Sequence, residues 1–271
     1  MEVEENQQGH ISWQAVAHDG STWFSGTYSL ADFSIIESNN PDIAKHPQRL
    51  MLAARTLNPA FLSQSEGYHV KSTLNYPLLW GLGSSSTLIA AVAAWAEIDP
   101  FALHFAVSKG SGYDIACAIS QGPVLYSLSG NRPTYQPVRF APPFAENIFF
   151  VYQGKKQDSA EGIRQYRNQS RGVEANDVAH GSLLTEKMLN AASLHEFEQI
   201  ITEHEALISN ILGMPTLKET IFYDLPGAVK SLGAWGGDFC MLTWQAGQDS
   251  LKTYLKSKGL QIWFNFNDIV L

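Results

Sequence analysis

A loop rich in glycine and serine runs directly into an apolar helix, and this junction constrains the fold more than any other feature. The loop spans residues 81–86, and residues 87–96 are alanine-rich and apolar nearly all round, which predicts a buried helix. Glycine permits left-handed backbone and close approach, so the loop amides can point into one concavity beside the positive helix N-terminus. The junction therefore predicts a phosphate-binding loop whose serine hydroxyls can cap the helix or offer oxygen to Mg²⁺. An ordinary loop with a serine N-cap is the alternative.

The charge balance restricts the classes of partner. Lys and Arg number 18 against 26 Asp and Glu, which gives a net charge of −8. Nucleic acid and anionic membranes are therefore excluded as bulk partners. Hydrophobic residues make up 45% of the chain and charged residues 16%, so we expect a large buried core and no extensive disorder.

Targeting signals and cysteine spacing favour a cytoplasmic protein. The longest uncharged apolar run, residues 89–96, is shorter than the roughly 20 residues that span a bilayer. The N-terminus is acidic and polar, unlike a secretory signal. Cys117 and Cys240 lie far apart and outside any zinc spacing, so we expect two buried free thiols in a reducing compartment.

Strand and helix signals alternate in both halves of the chain and predict an α+β protein of two domains. Residues 10–19 and 21–30 alternate in polarity around Asp19-Gly20, which predicts a β-hairpin. The segments GPVLYSLSG (residues 122–130) and PTYQPVRF (residues 133–140) predict a second hairpin. Helices are expected from Pro41 to Leu57 and from Pro100 to about Lys109. A proline-rich stretch at 141–147 marks the domain junction, which gives domains 1–143 and 144–271.

Three further segments could carry chemistry. Asp114 in GSGYDIA (residues 110–116) falls in the first turn of a helix, where its carboxylate could accept a hydrogen bond from a substrate hydroxyl. It could equally be an ordinary first-turn acid. The turn GAWGGD (residues 233–238) predicts a close approach to backbone or ligand, with a tight strand-entry turn as the alternative. Lys155 could meet an anionic substrate or be simply solvated.

Other catalytic motifs are missing from the sequence. It has no GxxxxGK[ST], no GxGxxG, no HExxH and no GxSxG, so a P-loop, a Rossmann fingerprint, a zincin site and a serine-hydrolase elbow are all without support. The histidines are scattered along the chain, and we assign them to helix surfaces.

The ordered set of three motifs resembles the GHMP family of small-molecule kinases, named for galactokinase, homoserine kinase, mevalonate kinase and phosphomevalonate kinase. PLLWGLGSSS (residues 77–86) is similar to the family's nucleotide loop, GSGYDIA to its catalytic-aspartate segment, and GAWGGDF (residues 233–239) to its third glycine-rich motif, with Trp235 in place of a usual glycine. The second and third motifs lean toward phosphomevalonate kinase, and GYDIA also resembles a bacterial branch known by those letters. The resemblance begins near Tyr76 and continues to the C-terminus.

The resemblance implies a fold and a set of roles. The fold is expected to join an N-terminal domain containing a left-handed βαβ crossover to a ferredoxin-like C-terminal domain. Asp114 is the expected catalytic residue, and Ser85 the expected magnesium ligand. The expected ATP-binding residues are Gly81, Leu82, Gly83, Ser84, Ser85 and Ser86. The expected substrate-binding residues are Ser111, Gly112, Lys155, Gly236, Gly237 and Asp238. The partners expected are small molecules, and the resemblance leaves a homodimer open.

Two departures from the family pattern bear on activity. Nothing within residues 1–30 matches the family's opening K-x-x-L-x-G-E-(H/Y) motif, and the helix before Asp114 lacks the magnesium-binding glutamate of mevalonate kinases. Three explanations are open: a first strand is missing and Met1 is an internal methionine, the site works with less, or the site is inactive.

The implied function is ATP- and Mg²⁺-dependent phosphoryl transfer to a small anionic metabolite, most directly mevalonate or phosphomevalonate of isoprenoid biosynthesis. Phosphoryl transfer needs mainly positioning and charge neutralisation, which a glycine-rich loop, a metal and one acid provide. Two alternatives are a non-catalytic nucleotide-binding homologue and a lyase similar to diphosphomevalonate decarboxylase.

Overall fold

The computed structural model describes residues 1–63, 66–154, 172–233, 235 and 237–270. These residues form two compact units. The first contains Met1–Leu78 and Leu82–Val138, and the second contains Leu79–Gly81 and Arg139–Leu271. The predicted domain junction at 143/144 stays a prediction. No helix within the described ranges is both long enough and apolar enough to cross a bilayer.

The first unit is built on a five-stranded sheet with the order β1-β5-β2-β3-β4. Strand β2 pairs in parallel with β5, and the other neighbours are antiparallel. The predicted hairpin around Asp19-Gly20 is confirmed as β2 and β3, whereas the sequence patterns did not predict β1 or β4. The strands are β1 (Glu2–Asn6), β2 (His10–Val16), β3 (Thr22–Ser29), β4 (Ile35–Ser38) and β5 (Gly67–Thr73).

Four helices and a separate hairpin complete this unit. Helix α1 (Pro41–Leu57) begins as predicted, with Pro41 in its first turn and the Asn40 side chain accepting from the Ile43 amide, a standard N-cap. Its inner face packs with α2 and α3 on a core around Trp13, Phe24 and Tyr28. The other elements are α2 (Ser84–Trp95), α3 (Pro100–Val107), α4 (Tyr113–Ile119), β6 (Val124–Ser129) and β7 (Arg132–Pro137). The sequence predicted all three helices and the β6–β7 hairpin.

The second unit contains a four-stranded antiparallel sheet with the order β11-β8-β10-β9. Alternate residues enter separate cores: Phe150 and Met241 lie in one, while Phe149 and Leu242 lie in the other. Both faces of the sheet are therefore covered, which explains why β10 is buried at every position. The strands are β8 (Ile148–Tyr152), β9 (Val229–Ser231), β10 (Phe239–Thr243) and β11 (Trp263–Asn265).

Helices supply the rest of those two cores. The described helices of the second unit are α5 (Ala175–Asn190), α6 (Leu194–Leu212), α7 (Leu217–Thr220), α8 (Gln248–Ser257) and α9 (Phe266–Ile269). The predicted mixed order of helices and strands is confirmed in both units, so the chain is α+β. One cysteine prediction is wrong: Cys240 is a buried thiol, but Cys117 is exposed because it lies on the outward side of the short helix α4.

Candidate active site

The glycine-serine loop ends at an uncapped helix N-terminus. Gly83 adopts the left-handed conformation (φ 76°) as the N-cap of α2, and no side chain caps the helix. The serine N-cap considered from the sequence is therefore wrong, because Ser84 to Ser86 are already the first helical residues. A left-handed glycine has no side-chain acceptor, so the first amides of α2 keep their donors for another partner.

A cavity of about 250 Å³ opens beside this helix start, within the first unit. Ser84 and Ser85 line it together with Trp23 and His46. The buried Trp23 Nε1 and His46 Nε2 atoms have no hydrogen-bond partner among the described residues. Burial, with the nearby Arg49 charge, lowers the pKa of His46, so this imidazole is neutral at pH 7. The cavity is thus a mainly apolar slot that lies beside the start of α2.

The segment carrying Asp114 repeats the same local geometry. Gly112 is the left-handed N-cap of α4 (φ 83°), again without a side-chain cap, and Asp114 lies in the first turn. Helix α4 packs against α2, so the structure brings these two predicted motifs onto neighbouring helices. Burial raises the pKa of Asp114, while a Tyr113 hydrogen bond and the charge of His104 oppose that rise. A carboxylate with a raised pKa is a better proton acceptor.

His104 and Tyr126 support the loop before α4. The His104 Nε2 atom lies 3.1 Å from the Gly110 carbonyl oxygen, and the Tyr126 hydroxyl donates to the Ser111 carbonyl. His104 lies on α3, which carries no acidic residue, and its side chain is 6% exposed. Assigning the histidines to helix surfaces was therefore wrong for His104 and His46. The sequence alone does not show that a histidine lies on the buried, apolar face of its helix.

The third motif approaches the first within the second unit. Asp238 is buried with a left-handed φ of 53°, and a Cβ added to Gly81 would lie 2.3 Å from its Cγ atom. Gly81 must therefore be glycine, both for its own φ of 67° and for this contact. Gly237 is also buried, and its carbonyl accepts from Gln153 Nε2 at 2.9 Å. The close contact is therefore made by the Asp238 side chain with Gly81, while the predicted close approach at the turn's own glycines stays a prediction.

Trp80 fixes the residues just before Gly81, which sequence reasoning missed. Its indole ring packs against the rings of Tyr152, Phe239 and Phe264, with centroids 6.1, 5.8 and 5.3 Å away. The Tyr152 hydroxyl donates to the Leu79 carbonyl at 3.2 Å. Leu79–Gly81 therefore belongs to the second unit, whereas Leu82 and the serines belong to the first. The sequence signal that could have indicated this role is a tryptophan directly beside a glycine-rich loop.

The remaining predicted residues Lys155 and Gly236 lie outside the described residues.

The donor set around α2 suits magnesium held mainly by phosphate oxygens. No group of three or more His, Cys, Asp or Glu side chains within the described ranges could hold a metal ion. Magnesium commonly takes one or two protein ligands beside substrate phosphates and waters. The exposed Ser85 side chain at the cavity fits that minor protein contribution.

Comparison with known proteins identifies the fold. No family model and no curated protein sequence matches the chain. Among solved structures it is similar to the mevalonate kinase of Methanococcus jannaschii, at 18% identity and a TM-score of 0.67, covering 97% of this chain and 86% of that one. Phosphomevalonate kinase of Streptococcus pneumoniae, in complex with phosphomevalonate and AMPPNP, gives 15% identity and a TM-score of 0.66, covering 97% and 89%. Homoserine kinase of Cytophaga hutchinsonii is similar at 11% identity and a TM-score of 0.53, and the match covers 97% of this chain and 83% of that one.

These similarities extend over both units. The chain has the two-domain α+β fold of the GHMP small-molecule kinases, and the predicted fold class is confirmed.

Proposed function

We propose that this protein is an ATP- and Mg²⁺-dependent kinase that phosphorylates a small anionic metabolite, with mevalonate and phosphomevalonate as the first candidates. The observation that carries the proposal is the uncapped start of α2 at the mouth of a cavity, in a fold shared with kinases of those two metabolites. The phosphomevalonate kinase complex with AMPPNP also supports an ATP-like ligand.

The α2 start would bind the nucleotide phosphates. Its free amides and partial positive charge favour anions, which an overall charge of −8 does not prevent because the potential is local. The apolar cavity would take the flat base, between walls that include Trp23 and His46. Ser85 would contribute one hydroxyl oxygen to Mg²⁺, and the bound ion supplies charge neutralisation at the phosphates.

Asp114 would act on the acceptor. Its carboxylate orients an acceptor hydroxyl and takes the proton as the new O–P bond forms and the bond between the β,γ-bridging oxygen and the γ-phosphorus breaks. Burial raises the pKa of Asp114, which favours that proton transfer. Ser111 and Gly112 precede α4 and would face the acceptor, while Lys155, Gly236, Gly237 and Asp238 would contribute substrate contacts from the C-terminal half.

The test is ATP consumption with mevalonate, phosphomevalonate, homoserine and a panel of sugars, with and without Mg²⁺. We expect turnover with one of the first two, and loss of that turnover in Asp114→Asn. No turnover with any acceptor contradicts the proposal.

Two other outcomes identify the alternatives. The absence of an acidic residue on α3 is the specific observation that favours a non-catalytic nucleotide-binding protein. ATP binding measured by calorimetry, unchanged in Asp114→Asn and without turnover, would establish it. Release of CO₂ from diphosphomevalonate would instead identify the lyase.

A further inference from the structure

A single tryptophan anchors the short segment that leads into the glycine-serine loop. Leu78–Trp80 forms one turn of 3₁₀-helix directly before Gly81. A turn this short has little stability of its own, so its order depends on contacts with the rest of the chain. The Leu79 side chain is 60% exposed, whereas Trp80 is half-buried. Trp80 is therefore the side chain through which Leu79–Gly81 packs on the second unit, to which it belongs.

Trp80 packs on a platform of three aromatic rings. This ring platform consists of Tyr152, Phe239 and Phe264, which come from the neighbouring strands β8, β10 and β11. Phe239 pairs with Tyr152, and Phe264 pairs with Phe150, which lies two residues before Tyr152. Side chains at paired positions, and at a spacing of two along a strand, share one face of a sheet. The three rings therefore lie on the same face.

The rings of the platform also support one another. The Phe239 ring centroid lies 5.3 Å from that of Tyr152 and 6.1 Å from that of Phe264. The Trp80 indole contacts all three rings, and its shortest centroid distance is 5.3 Å, to Phe264 in an edge-to-face arrangement. Such contacts are favourable beyond the area that they bury. Because each ring of the platform is fixed by a strand, the platform gives the indole one defined position.

Two further contacts restrain the residues on either side of Trp80. The Tyr152 hydroxyl donates to the Leu79 carbonyl at 3.2 Å. On the other side, a Cβ added to Gly81 would lie 2.3 Å from Asp238 Cγ. Leu79, Trp80 and Gly81 are thus all contacted by residues at one end of β8 and β10.

We propose that Trp80 is a positioning residue for ATP, which packs on the ring platform and thereby holds Leu79–Gly81 in the conformation that binds the nucleotide. Gly81 is one of the ATP-binding residues expected from the family resemblance. A glycine has little conformational preference of its own, so neighbouring contacts have to fix its φ of 67°. A segment that is already ordered loses less conformational entropy when the ligand binds. The effect on ATP rests on the proposed kinase function, whereas the ordering of the segment does not.

Hydrogen exchange followed by mass spectrometry tests the ordering directly. Tyr152→Phe keeps the ring and removes only the hydroxyl that binds the Leu79 carbonyl, so we expect the peptide over residues 78–83 to exchange at least threefold faster. In Trp80→Ala we expect about tenfold. Tyr254→Phe is the matched control, because it removes a hydroxyl that donates to Asp224 at 2.7 Å, in the core on the opposite face of the sheet; we expect no change in the peptide.

Exchange of this peptide within about twofold of the wild type in both Tyr152→Phe and Trp80→Ala overturns the proposal. Tyr152→Phe decides the matter alone if Trp80→Ala fails to fold, because the loss of one hydroxyl leaves the ring contacts in place.

Steady-state kinetics then separates positioning from a general packing role. Positioning predicts that Trp80→Ala raises the KM for ATP about tenfold and changes kcat by less than about threefold. Trp80→Phe, which keeps a ring on the platform, should stay within about threefold of the wild type in both constants. Trp263→Ala is the matched control, because Trp263 packs on Phe149 on the opposite face of the same sheet; we expect lower stability and an unchanged KM for ATP. An unchanged KM in Trp80→Ala, or an equal rise in Trp263→Ala, contradicts the proposal.

The proposed function can fail separately from the ordering of the segment. If the wild-type protein binds ATP without turnover, the same tenfold weakening is expected in the Kd measured by calorimetry. If it neither binds nor turns over ATP, the proposed function fails together with the effect on ATP, and hydrogen exchange alone still decides whether Trp80 holds the segment.

Discussion

Helix starts in this protein differ between the candidate site and the scaffold. Helices α1, α3, α6 and α7 begin after Asn40, Asp99, Ser193 and Thr216, whose side chains accept from helix amides. Helices α2 and α4 begin after left-handed glycines with no such acceptor. A capped helix satisfies its own donors, and an uncapped one leaves them for a ligand or water. Helix α8 also starts after an uncapped glycine, Gly247, so the cavity and the packing of α2 on α4 are what distinguish the site.

Two aspartates at helix starts give the largest contrast. Asp114 on α4 should lose about a thousandfold in kcat when replaced by asparagine, because the proton acceptor is gone. Asp99 accepts from the Phe101 and Ala102 amides of α3. We expect Asp99→Ala to lower the free energy of unfolding by about 1 kcal/mol with unchanged kcat. Kinase assays and urea unfolding of both variants check this, and equal losses of kcat would remove the distinction.

Two glycines of the loop separate backbone strain from close contact. Both Gly81 and Gly83 have a left-handed φ, but an added Cβ meets Asp238 only at Gly81 and open space at Gly83. We expect Gly83→Ala to cost about 1 kcal/mol of unfolding free energy from strain alone. Gly81→Ala should cost about 3 kcal/mol because Asp238 must also move. Chemical denaturation measures both values, and a Gly81→Ala cost no larger than that of Gly83→Ala would contradict the contact.

Two serines near helix starts test whether an uncapped start serves a ligand. Ser85→Ala should raise the KM for Mg·ATP about fivefold, since one oxygen for the ion is lost, with stability nearly unchanged. Ser193 accepts from the Glu196 amide at 3.2 Å. Its replacement by alanine should cost about 1 kcal/mol of unfolding free energy and leave KM unchanged. An unaltered KM in Ser85→Ala across a magnesium titration would exclude Ser85 as a ligand.

The smallest expected effect is on the pH dependence of stability. The folded-state pKa of Asp114 is raised above its usual value by burial, so the folded protein binds this proton more tightly than the unfolded chain. The stabilisation is therefore present at low pH and is lost as pH rises through the folded pKa. We expect the free energy of unfolding of Asp114→Asn to exceed that of the wild type by less than about 1 kcal/mol at pH 7, because partial exposure screens the effect. Near pH 3 we expect no difference, and urea unfolding at both pH values measures it. If the gain in unfolding free energy of Asp114→Asn were largest at pH 3, the pKa of Asp114 would be lowered in the folded protein and not raised.

Local patterns predicted most of the elements whose signals lie within a few residues. The Asp19-Gly20 hairpin, the start of α1 at Pro41 and the hairpin β6–β7 follow from turn chemistry and caps that neighbouring residues specify. Strand β1 was missed because its polar residues reveal no strand period, and it forms only by pairing with β5. Strand β9, three residues long, carries too little pattern to be predicted.

Some features of the candidate site could likewise be predicted from neighbouring residues, and others depend on residues distant in sequence. The glycines before α2 and α4 and the position of Asp114 could be read directly, because loop and helix propensities act locally. The inward turn of His46 and His104, the ring packing of Trp80 and the burial of Glu205 could not. Each depends on which distant surface covers that side chain, and a single sequence does not display it.

By itself, the sequence determined the α+β order, the glycine loops and the acid at the start of α4, because these follow from the conformational preferences of adjacent residues. Only the tertiary structure decided that Asp238 packs on Gly81 and that the buried Glu205 carboxylate accepts a hydrogen bond from Ser231. The physical reason is that burial and close contact between residues distant in sequence arise from packing, which fixes side-chain environments and pKa values only once the chain has folded.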